Sequence, residues 1–280
     1  MKKLAIALLA AALAAPSLAQ EESNFKVTPP PISCLDFHKG NNQFTFTGIY
    51  MKLGQAEDAT GDAPTGWGFN AEMTRGFGEG FGVMYHFMFL GMNMPMDAPN
   101  DDIPVRVIGL GPMVVVDLKK GEKRDIAGEI IEKKATVAAF TGLDLLGTFM
   151  SMDYASGGEI SVSSSEICLP LGMAADFPLG PMVSLVPFGR FSWIANTVTY
   201  DYDIAGYSGG GTSDTSYTRF DYGMDIDLRL FRNAPEWKIS VGTVLSQVQG
   251  MADGNLLIMA SVKREWGKHY SSTMFGPVLH

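Results

Sequence analysis

The sequence is poor in features that would point to several other classes of protein. It has only two cysteines among 280 residues, so a disulfide-rich scaffold is excluded. Charged residues make up only 18% of the chain, and acidic residues outnumber basic ones by 30 to 21. This acidic balance argues against a nucleic-acid partner, which would require a basic face. After residue 19 no apolar run approaches the roughly 18 residues of a membrane-spanning helix.

Catalytic and metal-binding motifs are also missing. The chain contains no Gly-x-Ser-x-Gly, His-Glu-x-x-His or Cys-x-x-Cys motif and no phosphate-binding loop. His86 lies between Met84 and Met88, and one histidine with two thioethers is weak evidence for a metal site, so we expect the histidine to fill interior space, with a metal site as the alternative. We therefore expect no metal, no cofactor and no enzymatic activity.

The first nineteen residues have the pattern of a secretory signal peptide. Lys2 and Lys3 form a positive start, and the apolar run Leu4–Ala15 is too short to span a bilayer as a helix. We expect cleavage between Ala19 and Gln20, and an uncleaved membrane anchor is the alternative. Loss of the two lysines would change the formal charge from −9 to −11.

One segment shows clearly the pattern that recurs along the chain. Between Tyr217 and Phe231, one set of alternate residues is almost wholly apolar and the other set carries five charges. A helix would distribute these charges around its axis, whereas a strand places alternate residues on opposite faces. We therefore predict a strand here.

Weaker alternation and apolar runs predict nine further strands, which brings the number to ten. In the run 182–202 the alternation changes phase between Phe188 and Phe191, which predicts a bulge near Gly189. The other predicted strands lie around residues 44–50, 67–74, 81–89, 105–118, 136–152, 166–176, 237–246 and 256–265.

The connections between these strands largely alternate in length, as expected when strands run up and down through a layer. Segments 76–80, 178–181 and 232–236 are short, whereas long loops are predicted at 55–66, 91–104, 153–163 and 203–215. Two connections break the pattern. Segment 251–254 is short, and segment 119–134 is long enough for an extra hairpin, which would make twelve strands.

An export signal, an even strand number, alternating connections and period-two hydrophobicity together resemble the bacterial outer-membrane β-barrel class. The resemblance covers roughly residues 43–270 and concerns the class, not a specific family. It implies an all-β fold, an up-and-down antiparallel transmembrane β-barrel of about ten strands, with eight or twelve as alternatives. Residues 20–42 would form an irregular segment that is periplasmic or plugs the lumen, and residues 271–280 a tail.

The resemblance also implies a location and partners. The protein would lie in the outer membrane of a Gram-negative-type bacterium, in contact with outer-membrane lipid. Periplasmic chaperones and the barrel-assembly machinery would be its partners during biogenesis. The chain ends on His280 instead of an aromatic residue, so the last strand is expected to close at Trp266 or Tyr270.

Aromatic residues fall at both ends of the predicted strands, as in the interfacial girdles of membrane barrels. At the long-loop ends these are Tyr50, Trp67, Tyr200, Tyr202 and Tyr217, and at the tight-turn ends Phe77, Phe81, Trp237 and Trp266.

On this layout ten charged residues line the lumen, and a barrel of ten strands leaves little room for a wide channel. We therefore expect a paired polar plug, with the lining of a small, weakly selective pore as the alternative. The ten residues are Glu72, Arg190, Arg219, Asp221, Asp225, Asp227, Arg229, Lys238, Lys263 and Glu265.

The two cysteines are candidates for one disulfide, with two free thiols as the alternative. Cys168 shares the predicted inner face with Glu166 and Asp176. Cys34 precedes the first strand by about nine residues, a reach of roughly 30 Å. A bond between them would hold the N-terminal segment inside or against the barrel.

The expected function is that of a non-enzymatic outer-membrane protein, either a small pore or a structural surface protein. An outer-membrane enzyme is one alternative, because His269-Tyr270-Ser271 resembles the His-x-Ser pairing of lipid A deacylases. An exported soluble lipocalin-like binding protein is another, since alternation alone does not tell the inside of a barrel from the outside.

Overall fold

The computed structural model describes fourteen parts of the chain. They are residues 42–52, 65–78, 80–94, 103–119, 122–124, 130–133, 135–154, 158–180, 182–204, 207–229, 237–249, 254–266, 272–273 and 276–277.

Ten long strands dominate these residues, and the fifth consists of two consecutive segments. The strands are β1 (Asn42–Lys52), β2 (Thr65–Gly78), β3 (Phe81–Met94), β4 (Ile103–Lys119), β5 (Thr136–Gly142 and Asp144–Tyr154), β6 (Gly158–Pro178), β7 (Val183–Ile204), β8 (Tyr207–Leu228), β9 (Trp237–Val248) and β10 (Asn255–Trp266).

The ten strands close into one antiparallel barrel. Each strand pairs with the next in the chain, and β10 pairs with β1 from Asn42 opposite Trp266 to Lys52 opposite Leu256. The predicted all-β, up-and-down barrel of about ten strands is therefore confirmed. Its last strand ends at Trp266, the first of the two expected positions. Within the described residues no helix is long and apolar enough to cross a bilayer.

The interruption of β5 at Leu143 has a local cause. Pro112 of β4 lies opposite this position, and Pro170 of β6 lies beside it on the other edge. Proline has no backbone N–H, so neither neighbour can complete the ladder there. The Leu143 amide still donates to the Pro112 carbonyl (3.0 Å), and the register is the same on both sides of the break.

Within the body of the barrel, alternate residues of each strand face inward and are mostly buried, while the others face outward. Residues 207–216 of β8 are largely exposed on both faces. The outward residues form a continuous apolar surface, which we call the apolar belt. It runs from Ile108 to Leu118 on β4, from Ile167 to Phe177 on β6 and from Phe220 to Leu228 on β8. These stretches match the length of about 9 to 11 residues with which a tilted strand crosses the hydrocarbon layer.

Strands β5 to β8 continue beyond the belt at one end of the barrel, and we call residues 151–154, 158–165, 197–204 and 207–216 the rim extension. The loops predicted at 153–163 and 203–215 are therefore wrong, because most of these residues are strand. The outward side chains of the rim extension are polar, as at Ser165 and Thr197. These segments therefore lack the apolar face by which the other strands were predicted. Backbone pairing, with Tyr202 opposite Gly209, and a side-chain hydrogen bond from Thr197 to Asp214 hold these strands together instead.

The bulge predicted near Gly189 is also wrong. Strand β7 keeps a single register with β8 from Val183 to Ile204. Phe188 points inward and Phe191 outward, so large apolar residues lie on both faces. The interior has room for the Phe188 ring because it packs over Gly223, where an added Cβ would lie only 2.7 Å from the ring.

The extra hairpin exists but does not enter the barrel. Glu122–Arg124 and Ile130–Lys133 pair in a separate two-stranded sheet, so the alternative of twelve strands is wrong, as is that of eight. A second small sheet pairs Ser272–Thr273 with Gly276–Pro277.

The predicted aromatic girdles are only partly correct. Tyr50, Trp67, Phe77 and Phe81 point outward and are exposed, and Trp237 and Trp266 lie on the outward face as well. The three other tyrosines lie on the inward face, where Tyr200 packs against the buried core and Tyr217 contacts Glu166. They extend the interior towards the rim extension instead of forming an interface with lipid.

Candidate functional site

The inward face of β8 carries more buried charged side chains than that of any other described strand. The strand places Arg219, Asp221, Asp225 and Asp227 on one face by simple alternation, and all four are buried. Buried charges are costly unless they are paired and hydrogen-bonded, so their partners decide what this face can do.

The first group of partners surrounds Asp221. Arg190 of β7 and Arg219 donate to the same oxygen, Oδ2, from Nε atoms 3.0 and 3.2 Å away. The Ser246 hydroxyl of β9 donates to Oδ1 at 2.6 Å. One carboxylate thus joins two guanidinium groups from neighbouring strands.

Beside this group lies a tyrosine–carboxylate contact. The Tyr217 hydroxyl donates to Glu166 Oε1 of β6 (3.1 Å), and Arg219 Nη2 lies 4.0 Å from Cys168 Sγ. Glu166 therefore lies on the same side of the lumen as Arg219. Its negative charge offsets the positive charge of the Arg219 guanidinium.

A second charged group lies nearer the tight-turn end. Lys263 of β10 donates to Asp227 Oδ1 at 2.8 Å, and the Ser240 hydroxyl donates to the same atom at 2.8 Å. Lys238 and Glu265 form a neighbouring ion pair that is less deeply buried. Arg229 follows Leu228 at the end of the strand and is half-buried.

A third group was missed by sequence reasoning. His86 Nε2 lies 2.7 Å from Asp144 Oδ1, and both residues are buried. Glu72 is the direct cross-strand neighbour of His86. Asp144 stands alone in an otherwise apolar run, and its only sequence signal was its position on the inward phase of β5.

The His86–Asp144 contact depends on a glycine between them. Gly111 of β4 is the cross-strand neighbour of His86 and lies level with Asp144. A Cβ added at Gly111 would lie 2.0 Å from the Leu143 carbonyl oxygen and 2.7 Å from Asp144 Oδ1. Any larger residue would displace the acid from the histidine.

Towards the rim extension the interior is apolar and rich in methionine. Apart from Met88, which lies beside His86 on the predicted inner face, the inward residues of this half were not predicted, because they alternate with equally apolar outward residues. Its inward side chains include Met51, Met88, Leu90, Met92, Val105, Leu257 and Met259.

The structure thus places seven of the ten predicted lumen residues in these ion pairs. Glu72 lies opposite His86, Asp225 lies next to Asp227 on the same face, and Arg229 lies at the end of β8. Cys168 carries a buried free thiol, and Cys34 lies outside the described residues. His269, Tyr270 and Ser271 lie outside them too. Among the residues that are described, no group of three or more histidine, cysteine and acidic side chains could hold a metal ion.

Comparison with known proteins identifies the fold. No protein-family model and no curated protein matches the chain. Among solved structures, the outer membrane protease OmpT from Escherichia coli is similar with a TM-score of 0.53 at 8% identity, over 84% of this chain and 99% of that one. The translocator domain of the autotransporter NalP from Neisseria meningitidis is similar with a TM-score of 0.51 at 9% identity, over 92% of this chain and 98% of that one.

At these identities the similarity concerns the fold alone. It agrees with the closed ten-stranded sheet, the outward apolar belt and the polar interior. The predicted class is therefore confirmed: the chain has the fold of the bacterial outer-membrane β-barrels.

Proposed function

We propose that this chain is an outer-membrane protein with a closed lumen, whose barrel anchors the rim extension at the cell surface. Of the two functions expected from the sequence, this is the structural surface protein and not the small pore. The proposal includes export with a cleaved signal peptide and insertion by the barrel-assembly machinery.

The observation that carries the proposal is the burial of large charged side chains in the lumen. Arg190, Arg219 and Lys263 are each no more than 1% exposed, and each is paired with an aspartate. An ion pathway needs water at its lining charges, whereas these side chains fill the space themselves.

The outward apolar belt supports a membrane location over the soluble alternative. In a lipocalin-like protein the apolar face of each strand would point inward and the charged face outward. Here the charges point inward, and Leu171, Phe191 and Phe220 are among many large apolar residues exposed on the outside. A surface of this kind is stable in lipid and unfavourable in water.

Conductance in planar bilayers tests the closed lumen. We expect the purified, folded chain to insert without producing discrete current steps, because paired side chains occupy the lumen. A known open porin in the same bilayers serves as the positive control, and a shift in gel mobility on boiling shows that the barrel is folded. Regular current steps from the folded chain would refute the closed lumen.

A further inference from the structure

Two arginines lie on the outward face where the apolar belt ends, on the side of the tight turns. On β10 the outward residues Ile258 and Val262 are followed by Arg264, and on β2 the outward Met73 is followed by Arg75. A cation on this face would be unfavourable within lipid, so each arginine needs contacts that compensate for its charge.

Arg264 is buried against an aromatic ring instead of reaching freely into solvent. It is only 6% exposed, and its guanidinium carbon lies 5.1 Å from the centre of the Trp237 ring. Phe44 of β1 is its cross-strand neighbour on the other side. Such a cation–π contact stabilises the charge of the guanidinium but gives its N–H groups no hydrogen-bond acceptor.

The hydrogen-bonding capacity of Arg264 is not used within the described part of the chain. Its Nε atom is buried and has no hydrogen-bond partner there, and no carboxylate among those residues forms an ion pair with it. A buried guanidinium N–H without an acceptor is costly, so an acceptor from outside the chain would stabilise Arg264.

Arg75 adds a second cation to the same rim. Its guanidinium carbon lies 5.6 Å from the centre of the Phe77 ring. Asn42 of β1 lies opposite Arg75 on one side and opposite Trp266 on the other. Trp266 is the next outward residue after Arg264 on β10. The two arginines are thus separated by a single strand whose polar side chain lies between them.

We propose that Arg264 and Arg75 bind the phosphate group of a phospholipid in the leaflet at the tight-turn end of the barrel. The guanidinium fork matches phosphate oxygens, and the belt below the headgroup accepts the acyl chains. The aromatic rings lie at the depth where interfacial residues meet headgroups. This inference rests on the proposed membrane location.

Native mass spectrometry of the full chain released from detergent micelles tests the site. The probes are phosphatidylglycerol and a diacylglycerol with the same acyl chains but no phosphate. We expect the wild type to retain phosphatidylglycerol and not the diacylglycerol. Arg264→Gln should reduce the retained fraction about tenfold, the effect of losing one charge-assisted hydrogen-bonded pair, and Arg264→Lys should reduce it less.

Arg106→Gln is the matched control. Arg106 is also an outward arginine, but it lies at the opposite rim, in a groove that Asp201 also lines. We expect this variant to retain phosphatidylglycerol like the wild type. Inorganic phosphate added to the sample should not displace the lipid, and displacement would overturn the assignment to a lipid.

The outcomes separate this inference from the proposed function. If the wild type floats with lipid vesicles and shifts its gel mobility on boiling, but Arg264→Gln retains lipid as well as the wild type, the phosphate site is wrong and the membrane location stands. If the wild type does not associate with vesicles at all, the proposed membrane location fails.

Discussion

At the scale of single residues, Asp221 is the centre of the interior charge. It accepts hydrogen bonds from Arg190, Arg219 and Ser246, which come from three adjacent strands. Removing one partner of a buried ion pair leaves an uncompensated charge, which costs more than the pair contributes. Asp221 is therefore expected to matter more for stability than any exposed acid of the chain.

We predict that Asp221→Ala lowers the free energy of unfolding by about 3 to 5 kcal/mol, because two guanidinium groups lose their shared carboxylate. Urea titration in detergent, followed by tryptophan fluorescence, measures the change. Asp214→Ala is the control, since Asp214 is exposed in the rim extension and accepts one hydrogen bond from Thr197. It should change stability by no more than about 0.5 kcal/mol, and equal losses in the two variants would contradict the prediction.

At the scale of strands, sequence reasoning succeeded where one face is apolar and the other polar. Strand β8 between Tyr217 and Leu228 was predicted with the correct faces for this reason. Residues 207–215 of the same strand lie in the loop predicted at 203–215, and that prediction is wrong. They are rich in glycine, serine and threonine, and backbone pairing with β7, together with side-chain hydrogen bonds such as that from Thr197 to Asp214, makes them a strand. Such pairing leaves no periodic signal in the sequence.

The boundary between the apolar belt and the rim extension on β6 leads to a second prediction. Leu171 and Ser165 both point outward on this strand, but only Leu171 lies within the belt. Leu171→Lys should destabilise the protein in lipid vesicles by about 2 to 4 kcal/mol, and Ser165→Lys by about 0 to 1 kcal/mol. Unfolding midpoints in urea, read from gel mobility without boiling, measure both. If Leu171→Lys is as stable as Ser165→Lys, the belt does not contact lipid.

At the scale of the whole molecule, the barrel was predictable but its interior contacts were not. Alternation assigns Asp227 and Lys263 to the inward face, yet their contact depends on the register of β8, β9 and β10. The His86–Asp144 contact likewise depends on a glycine in the strand between them. Sequence patterns specify which face a residue takes, while closure of the sheet decides which residues meet.

The two ends of the barrel differ, and this difference predicts its orientation. The rim extension continues four strands beyond the belt at one end, whereas the other end has the tight turn at Gly80, whose φ of 77° suits glycine. In outer-membrane barrels the short turns face the periplasm and the longer connections face the cell exterior. The rim extension should therefore lie outside the cell.

Epitope tags inserted at the two ends test this orientation. A tag between Ile204 and Tyr207, at the tip of the rim extension, should bind antibody on intact cells. The same tag inserted after Gly180, in the tight turn between β6 and β7, should bind antibody only after the outer membrane is permeabilised. Gel mobility without boiling must show that both tagged chains are folded. Labelling of the Gly180 tag alone on intact cells would reverse the proposed orientation and move the Arg264 site to the outer leaflet.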